Sequence, residues 1–422
     1  MKLCVFEDEK CEDFYPSSLT RPVFALRLGM EELYKRDSRF LGLRVERAFA
    51  RDYLVATSRK SMGIPVNSTE GMEKDDWLLL NGRSMNPVGI SVEETDVAGM
   101  RGQDVAFIAA SRRIVRKNLC ADFKLFLDRL LKECDRVEAD THLAGHVWDL
   151  VLRNSQAITE DYDSIGRRGI RGDMADGSYI VGEEERVYIA PTAKVDPLVV
   201  LDAANGPIYL DEGVRVYPHT RVEGPSYIGR DSQLVGGKIR EGCSIGPVCR
   251  VGGEVEESIF HGYSNKYHDG FIGHSYVGEW VNLGALTTNS DLKNDYSTVQ
   301  VFLRGRPVDT NLTKVGSAIG DHVKTAIGTL LNTGTVVGVM TIVMPSGEVS
   351  PKNIPSFCLL HRNQIRGGLG FDNLIDTARK AMSRRGVELE PDDIALLKHI
   401  YDTTAEERES LIRRDRRKRA RS

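Results

Sequence analysis

The feature that most constrains the fold is a six-residue period in the middle of the chain. Aliphatic residues recur at every sixth position, with one slip of a single residue; they are Val216, Val222, Ile228 and Leu234, then Ile239, Ile245 and Val251, and later Val277 and Leu283. Such a period is typical of a triangular coil in which each hexapeptide forms one short strand with its aliphatic side chain inside. Glycine often follows the aliphatic position, as at Gly246 and Gly278, so we expect a small residue at each corner. The pattern predicts a left-handed parallel β-helix over residues 187–350.

The coils of a β-helix must stack, because a single coil cannot bury its own aliphatic residues. A β-sandwich is the alternative for a chain of short strands, but its side chains would alternate every second residue rather than every sixth. Cys243 and Cys249 also lie six residues apart. They suit small buried positions on adjacent strands better than a metal site or a disulfide.

Two regions of different character flank the repeat. Residues 1–180 alternate strand and helix patterns, which predicts an α/β domain with a mostly parallel sheet. Within this region, helical spacing is seen in Leu26, Met30, Leu33 and Tyr34, and again over residues 123–131. Residues 355–422 are expected to form a helical extension, with one helix over about 373–385 and another beginning at Pro391. The strongly basic tail is typical of a solvated helix end, although it could also bind an anionic surface.

Composition excludes several classes of protein. The chain has 422 residues and 41% hydrophobic content, as expected for two or three globular domains. Its net charge of −4 gives no reason to expect nucleic-acid binding. It begins without a signal-peptide pattern, and no apolar run approaches the ~18 residues of a membrane span. Seven cysteines without a C-x-x-C pair indicate neither a zinc site nor a disulfide framework, so we expect a cytoplasmic protein.

Polar residues suited to acyl transfer gather at one point of the repeat, within residues 264–294. Transfer of an acetyl group to an amine needs a base for the proton and a donor for the thioester oxygen. A phosphorylated acceptor also needs a cation. His268 is the candidate base, Asn282 the candidate donor, and Lys266 and Lys293 the candidate cations. His274 is expected to have a structural or supporting role.

This segment resembles the acetyltransferase half of the bacterial bifunctional GlmU enzymes, which combine UDP-N-acetylglucosamine pyrophosphorylase and glucosamine-1-phosphate N-acetyltransferase in one chain. His268 falls where that family has its catalytic base, Asn282 and Ala285 match its N-I-G-A-G element, and Ser317 ends a coenzyme-contacting V-G-S. The resemblance therefore implies acetyl-CoA as co-substrate, with Ala285 and Ser317 against the coenzyme. It implies acceptor contacts from Asn265, Lys266, Asn282, Asn289, Asp291 and Lys293. Phe271 and Ser290 stand where the family has tyrosine, so the reaction is better specified than the acceptor.

The amino-terminal region lacks the G-x-G-T-R-M loop of ordinary sugar nucleotidyltransferases. It is similar instead to an alternate GlmU-like group with a short amino-terminal domain, through T-R-P-V at 20–23, N-G-R at 81–83 and W-D-L at 148–150 with Asn154. That resemblance covers about residues 1–385 and includes N-K-x-H-D-G-F and N-S-D-L-K-N of the repeat. It implies binding of a nucleotide and a sugar phosphate by Thr20, Arg21, Arg27, Lys35, Asn81, Gly82 and Arg83.

Several of these residues have two readings from the sequence alone. Asp8 follows a strand pattern, and the sequence is equally consistent with a Mg²⁺ ligand and with the first residue of a turn at this position. Arg21 and Arg27 are phosphate ligands or members of ion pairs, and residues 81–83 are a ligand loop at a strand end or a turn.

The function predicted from the sequence is that of a bifunctional transferase of small molecules. It would use acetyl-CoA and Mg²⁺ and form the homotrimer that the resemblance implies. The alternatives are an acyltransferase with a degenerate amino-terminal binding domain, and a non-catalytic trimeric scaffold.

Overall fold

The computed structural model describes residues 1–87, 89–90, 92–344 and 347–419. They form two compact units, the first made of Met1–Phe14, Thr20–Arg27 and Glu31–His146, and the second of Tyr15–Leu19, Leu28–Met30 and Val147–Ser422. The sequence suggested a boundary near residue 180, whereas the contacts divide the chain at Val147. The reason is that the helix after Val147 contributes Ile158 and Tyr162 to the apolar core of the second unit. The last residues of the basic tail, 420–422, lie outside the described residues.

The first 146 residues alternate strands and helices, as expected. The strands are β1 (Lys2–Phe6), β2 (Arg27–Leu28), β3 (Glu31–Glu32), β4 (Val45–Phe49), β5 (Trp77–Asn81), β6 (Ser84–Asn86), β7 (Val97–Arg101), β8 (Asp104–Ala110), β9 (Asp135–Glu138) and β10 (His142–Leu143). The helices are α1 (Leu33–Leu41), α2 (Val55–Met62), α3 (Arg112–Asn118) and α4 (Phe123–Glu133).

Six of these strands form one sheet in the order β4-β1-β5-β8-β7-β9. β8 runs antiparallel to β5 and β7, and the remaining pairs are parallel. The mostly parallel sheet is thereby confirmed. Side chains of β5 alternate between two apolar cores, Trp77 and Leu79 on one face and Leu78 and Leu80 on the other, which explains the unbroken apolar run before Asn81. The carboxyl ends of β1 and β5 and the first residue of β8 therefore share one edge of the sheet.

The second unit is a stack of coils preceded by one helix and followed by three. α5 (Val147–Ile165) comes first. The coil strands are β11 (Gly169–Ile170), β12 (Asp173–Met174), β13 (Tyr179–Val181), β14 (Val187–Ile189), β15 (Lys194–Val195), β16 (Val200–Asp202), β17 (Ile208–Leu210), β18 (Arg215–Val216), β19 (Arg221–Glu223), β20 (Ser226–Ile228), β21 (Gln233–Ile239), β22 (Cys243–Ile245), β23 (Arg250–Glu256), β24 (Ile259–Gly262), β25 (Asn265–Lys266), β26 (Phe271–Gly273), β27 (Tyr276–Glu279), β28 (Asn282–Leu283), β29 (Thr288–Asn289), β30 (Gln300–Leu303), β31 (Arg306–Asp309), β32 (Ala318–Ile319), β33 (Lys324–Thr325), β34 (Leu330–Leu331), β35 (Val336–Val337), β36 (Ile342–Met344), β37 (Asn353–Ile354), β38 (Cys358–His361) and β39 (Gln364–Gly367). The closing helices are α6 (Phe371–Ser383), α7 (Pro391–Thr403) and α8 (Ala405–Arg419).

The predicted β-helix is confirmed as a parallel β-solenoid, consistent with the left-handed class that the hexapeptide period indicates. One face is a continuous sheet of ten strands from β11 to β37, and each strand pairs in parallel with its equivalent in the next coil. The period residues from Val216 to Val251 are fully buried, as are Cys243 and Cys249, which are free thiols. The solenoid begins earlier and ends later than the sequence indicated, because its terminal coils are formed by β11 and β38.

The corners differ from expectation. Glycine after the aliphatic position is required by the close approach of neighbouring coils, since a Cβ atom on Gly246 would lie 2.0 Å from the carbonyl oxygen of His261. The left-handed backbone of the corners is instead adopted by larger residues such as Val248 (φ 59°) and Trp280 (φ 58°). Contacts between successive corners support these conformations, since the Trp280 ring stacks on those of Tyr263 and His322, and they offset a cost of typically about 1–3 kcal/mol each.

The helix predicted from Leu26 onward is only partly formed, because α1 begins at Leu33. The amide of Gly29 donates to Asn154 Oδ1 and that of Met30 to Asp161 Oδ2, both at 2.9 Å. The two side chains of α5 thus accept hydrogen bonds from backbone amides that a helix would use for its internal hydrogen bonds. Asn154, part of the W-D-L…N element, is fully buried and therefore acts as a structural residue.

The carboxyl-terminal helices agree well with the sequence pattern. Pro391 is the first residue of α7, and Glu390 and Asp393 form a reciprocal capping box around it. Gly386 follows α6 with a φ of 68°, a conformation that favours glycine. Within the described residues, no helix has the length and apolar content needed to cross a bilayer.

Candidate active sites

Charged side chains gather at the sheet edge where β1 and β5 end and β8 begins. Arg83 bridges two carboxylates there, with Nη2 at 2.6 Å from Asp8 Oδ2 and 2.8 Å from Asp104 Oδ2. Asn81 Nδ2 also donates to Asp8 Oδ2, at 2.9 Å. The structure thus brings together Asp8, Asn81 and Arg83 from the predicted set, and adds Asp104.

Arg83 is almost fully buried, and its Nη1 donates to the carbonyl oxygen of Ala144 at 2.7 Å. Burial acts to lower the pKa of Arg83, but the hydrogen bonds to Asp8 and Asp104 outweigh it and raise that pKa. Residues 81–83 form a tight turn, in which the amide of Arg83 donates to Asn81 Oδ1 at 3.0 Å and that of Gly82 to the carbonyl oxygen of Phe6 at 2.7 Å. Residues 81–83 are therefore a turn and a charge bridge at once.

The carboxylate of Asp8 is engaged by two neighbouring side chains. Both oxygens of Asp8 accept hydrogen bonds from Arg83, and one also accepts from Asn81. In the described ranges, no group of three or more His, Cys, Asp or Glu side chains is placed to hold a metal. Magnesium, however, is usually held by one or two carboxylates together with waters and substrate phosphates. Asp8 is therefore an ion-pair partner of Arg83 in this structure, and its role as a Mg²⁺ ligand stays a prediction.

A cleft of about 990 Å³ opens at this sheet edge. Its aromatic wall includes Phe49 and Phe123, whose rings stack with centroids 3.7 Å apart and planes 9° apart. Its cations include Lys10, which lies 2.7 Å from Asp104, and Arg51, which is fixed by two hydrogen bonds to Glu7. Eight carboxylates also line the cleft, Asp8 and Asp104 among them. The cleft therefore has the size for a nucleotide, but the charge of a bound phosphate must be balanced by these cations or by a metal ion.

The remaining predicted phosphate ligands do not line this cleft. Arg27 is buried with its Nη2 4.0 Å from Glu32, and Lys35 Nζ lies 2.9 Å from the same carboxylate. Thr20 and Arg21 lie in the loop before β2, where the carbonyl oxygen of Arg21 accepts from Arg51 at 3.4 Å. Arg27 and Lys35 thus form a second group around Glu32.

In the second unit, His268 is exposed on the turn between β25 and β26, where its ring meets the edge of the Tyr267 ring. Its backbone is anchored by Lys266, whose Nζ donates to the carbonyl oxygens of His268 (2.6 Å) and Gly252 (3.0 Å). Lys266 is 2% exposed, and burial lowers its pKa to about 8. Lys266 therefore anchors the loop that carries His268, and its buried ammonium is not exposed where a sugar phosphate could contact it.

Asn265 and Asn282 lie side by side on adjacent strands, β25 and β28. Asn265 Nδ2 donates to Asn282 Oδ1 at 3.3 Å, and Asn282 is exposed. Asn265 Oδ1 accepts in turn from Arg385 Nη2 at 3.0 Å, just after α6. The sequence marked the two asparagines but gave no sign of Arg385, because it lies 120 residues from its partner.

Asn289 and Asp291 form hydrogen bonds to residues at the end of β26. The Asn289 amide bonds twice to the backbone of Gly273, at 2.8 and 3.0 Å. His274 Nδ1 lies 2.7 Å from Asp291 Oδ2 and its Nε2 lies 4.0 Å from Glu257. Burial acts to raise the pKa of Asp291, but the hydrogen bond and charge of His274 outweigh it and lower that pKa. Burial raises the pKa of Glu257, against the opposing effect of His274.

The predicted coenzyme contacts are only partly accessible. Ser317 is 2% exposed, and its Oγ has no hydrogen-bond partner among the residues that the structure describes. It borders a cavity of about 10 Å³, which is room for roughly one water molecule. Ala285 is half-buried and accepts from the amide of Gly328 at 2.8 Å. Lys293 Nζ donates to the carbonyl oxygen of Thr298 at 3.2 Å and lies 3.7 Å from Asp295.

Comparisons with known proteins agree with this two-part organisation. Residues 3–168 match the model of the sugar nucleotidyl transferase family. The chain is 32% identical over 97 residues to a bifunctional sugar-1-phosphate nucleotidylyltransferase/acetyltransferase of Sulfurisphaera tokodaii, covering 23% of this chain and 24% of the relative. It is 26% identical over 189 residues to the bifunctional protein GlmU of Nitrosospira multiformis, covering 39% and 41%. The chain thus spans less than half the length of these curated relatives.

Among solved structures, a UDP-N-acetylglucosamine acyltransferase matches 56% of this chain and 81% of its own, with 16% identity and a TM-score of 0.27. The β-helix assignment therefore rests on the strand pairing described above. Residues 3–168 are thus similar to sugar nucleotidyl transferases, and parts of the chain are similar to bifunctional GlmU-type nucleotidyltransferase/acetyltransferases.

Proposed function

We propose that the β-helix transfers the acetyl group of acetyl-CoA to the amine of an amino-sugar phosphate such as glucosamine 1-phosphate. The observation that supports this most is the exposed His268 on a backbone anchored by buried Lys266, beside the paired amides of Asn265 and Asn282. A structural scaffold has no use for a buried ammonium that holds an exposed imidazole in place. The proposal includes a cytoplasmic setting, in keeping with seven free cysteines.

In the proposed reaction, the neutral amine of the acceptor attacks the thioester carbon. His268 takes the proton that the amine loses as the new C–N bond forms. A donor such as the amide of Asn282 meets the oxygen on which negative charge develops. The C–S bond then breaks, and the thiolate of the coenzyme leaves with a proton returned by His268.

The proposed working form is a homotrimer in which a neighbouring chain completes the site. Large apolar side chains are exposed on the coils next to His268, and they include Tyr267, Leu286, Ile327 and Leu330. Leu286 belongs to the coil directly beneath His268, since its amide donates to the carbonyl oxygen of Asp269 at 2.7 Å. A second copy of the chain would remove this apolar surface from water.

For the first unit we propose nucleotidyl transfer to a sugar phosphate in the cleft lined by Asp8, Asn81 and Asp104. A phosphate oxygen of the sugar phosphate would attack the α-phosphorus of a nucleoside triphosphate, and pyrophosphate would leave. The volume of the cleft and the cations Lys10 and Arg51 on its lining support a nucleotide in this place. With uridine triphosphate the product would be UDP-N-acetylglucosamine.

Two assays separate the proposed activities. Acetyl transfer is measured as thiol release from acetyl-CoA with glucosamine 1-phosphate, and nucleotidyl transfer as pyrophosphate release from UTP with N-acetylglucosamine 1-phosphate. Thiol release without pyrophosphate release would favour an acyltransferase with a degenerate amino-terminal domain. Absence of both activities from a folded trimer would favour a scaffold.

A further inference from the structure

Three arginines gather beside the paired asparagines of the β-helix. Arg250 begins β23 and lies in register with Asn265 of β25, which lies in register with Asn282 of β28. Arg384 and Arg385 directly follow α6, and Arg385 is bonded to Asn265. We call Arg250, Arg384 and Arg385 the arginine cluster; with the two asparagines it forms one continuous polar surface.

No carboxylate among the described residues balances the charge of the arginine cluster. In the part of the chain that the structure describes, none of its members forms an ion pair with a carboxylate, and the Nη1 atom of Arg250 is buried without an acceptor. Burial lowers the pKa of Arg385, and the positive charges of Arg250 and Arg384 lower it further. The three guanidinium groups therefore repel one another, and a bound anion would offset this repulsion.

A neighbouring arginine on the same face shows the contrast. Arg215 of β18 lies in register with Gln233, which lies in register with Arg250. Its Nη2 atom is 3.2 Å from Asp196, so its charge is balanced within the chain. Unbalanced charge is therefore a property of the arginine cluster and not of every arginine along this sheet.

We propose that the arginine cluster binds a phosphoryl group, namely the phosphate of the amino-sugar phosphate acceptor. The guanidinium fork matches phosphate oxygens in geometry and charge. His268 follows Asn265 by three residues, so their backbones lie within about 10 Å of each other. An amine and a phosphate on adjacent carbons of one sugar ring span less than this. The assignment rests on the proposed acetyl transfer, and it gives the cluster the phosphate-binding role that Lys266 cannot fill.

The test compares ligands that differ only in a phosphate. Binding of glucosamine 1-phosphate, glucosamine, inorganic phosphate, acetyl-CoA and 3′-dephospho-CoA is measured by calorimetry on the full chain. The variants are Arg385→Met and Arg250→Met, and the matched control is Arg215→Met. Neither cluster variant should unfold the protein, because each removes a repelled charge; circular dichroism and the oligomeric state verify this.

We expect Arg385→Met and Arg250→Met each to weaken glucosamine 1-phosphate binding about ten- to a hundredfold, as for loss of a charge-assisted hydrogen bond. Binding of glucosamine and acetyl-CoA should not change, and Arg215→Met should bind like wild type. Weakened binding of acetyl-CoA, with 3′-dephospho-CoA and the acceptor unaffected, would assign the cluster to the coenzyme and overturn the proposal. Unchanged binding of every ligand would overturn it as well.

Failure of the proposed function gives a different pattern. If the wild-type protein releases no thiol but binds inorganic phosphate, and Arg385→Met abolishes that binding, the anion site stands and the acetyl-transfer proposal fails. If thiol release is normal in Arg385→Met and Arg250→Met with an unchanged KM for glucosamine 1-phosphate, the acetyl-transfer proposal stands and the anion site fails.

Discussion

His274 Nδ1 lies 2.7 Å from Asp291 Oδ2, which makes a histidine–carboxylate pair between successive coils. His274 is 13% exposed in its side chain, whereas His268 is exposed and bonds to no carboxylate within the described residues. The β-helix therefore offers two candidate bases of different kind. His274 is oriented by a partner but largely covered, and His268 is accessible but oriented only through its backbone.

We predict that His268 is the base of acetyl transfer. His268→Ala should lower kcat by roughly 10²–10⁴-fold while leaving the KM for acetyl-CoA nearly unchanged. The pH profile of kcat should lose one ionisation in this variant. Steady-state kinetics across pH measures both effects.

His274→Ala is the matched control. It should keep kcat within a few-fold and retain the pH profile, but lose about 1–3 kcal/mol of stability because it leaves Asp291 buried without its partner. If His274→Ala abolishes turnover and His268→Ala does not, the two roles are exchanged.

We predict that Arg83 excludes divalent cations from the space between Asp8 and Asp104. Arg83→Met leaves both carboxylates without their guanidinium, so it should bind Mn²⁺ more tightly than wild type, as seen by paramagnetic resonance. It should also lower pyrophosphate release and leave thiol release intact. Strong binding of Mn²⁺ to the wild-type protein, lost on Asp8→Asn, would show that Asp8 serves a metal after all.

The buried ammonium of Lys266 should make stability depend on pH in alkaline solution. Its pKa is about 8 in the folded protein against an ordinary value of 10.5, because burial penalises the charge. Below pH 8 the lysine is charged in both states and opposes folding in full. Between about pH 8 and 10.5 the unfolded chain binds more protons, so the contribution of Lys266 to the free energy of unfolding should rise with pH, by up to about 3 kcal/mol.

Denaturant unfolding of wild type and Lys266→Met at several pH values measures this contribution. As the pH rises, the unfolding free energy of the wild type should increase relative to that of Lys266→Met. Lys194→Met, which removes an exposed lysine of the same β-helix, should show no such trend. A pH-independent difference for Lys266→Met would mean that the ammonium is better solvated than its burial indicates.

The apolar side chains near His268 predict assembly. Ile327→Glu places a charge on a side chain that is 70% exposed in the single chain, so it should break the proposed trimer without unfolding the β-helix. Light scattering should give three times the chain mass for wild type and a lower mass for the variant. Leu198→Glu, at another exposed corner, should assemble like wild type; a wild-type protein that is monomeric at micromolar concentration contradicts the proposal.

Much of the fold was predictable from the sequence because its determinants are local and periodic. Val216, Val222 and Ile228 each face inward for the same reason, namely one aliphatic residue per hexapeptide, and all three are fully buried. Pro391 marked the start of α7 because its fixed backbone angle suits only a first helical turn. The helix expected from Leu26 failed because Asn154 and Asp161, more than a hundred residues later, take its amides.

The residues of the candidate sites divide along the same line. His268 and Asn282 could be marked from the sequence, since both stand in motifs within a recognisable repeat. Asp104, the second ion-pair partner of Arg83, could not be identified from the sequence, because it reaches the same edge only through the antiparallel course of β8. Arg250 and Arg385 of the arginine cluster are separated in the sequence by much of the β-helix and by α6, yet they lie close together in the structure. Whether a carboxylate lies near enough to balance their charge can only be seen in three dimensions. Periodic burial can be read along the chain, whereas hydrogen bonds and charge balance depend on which distant segments meet.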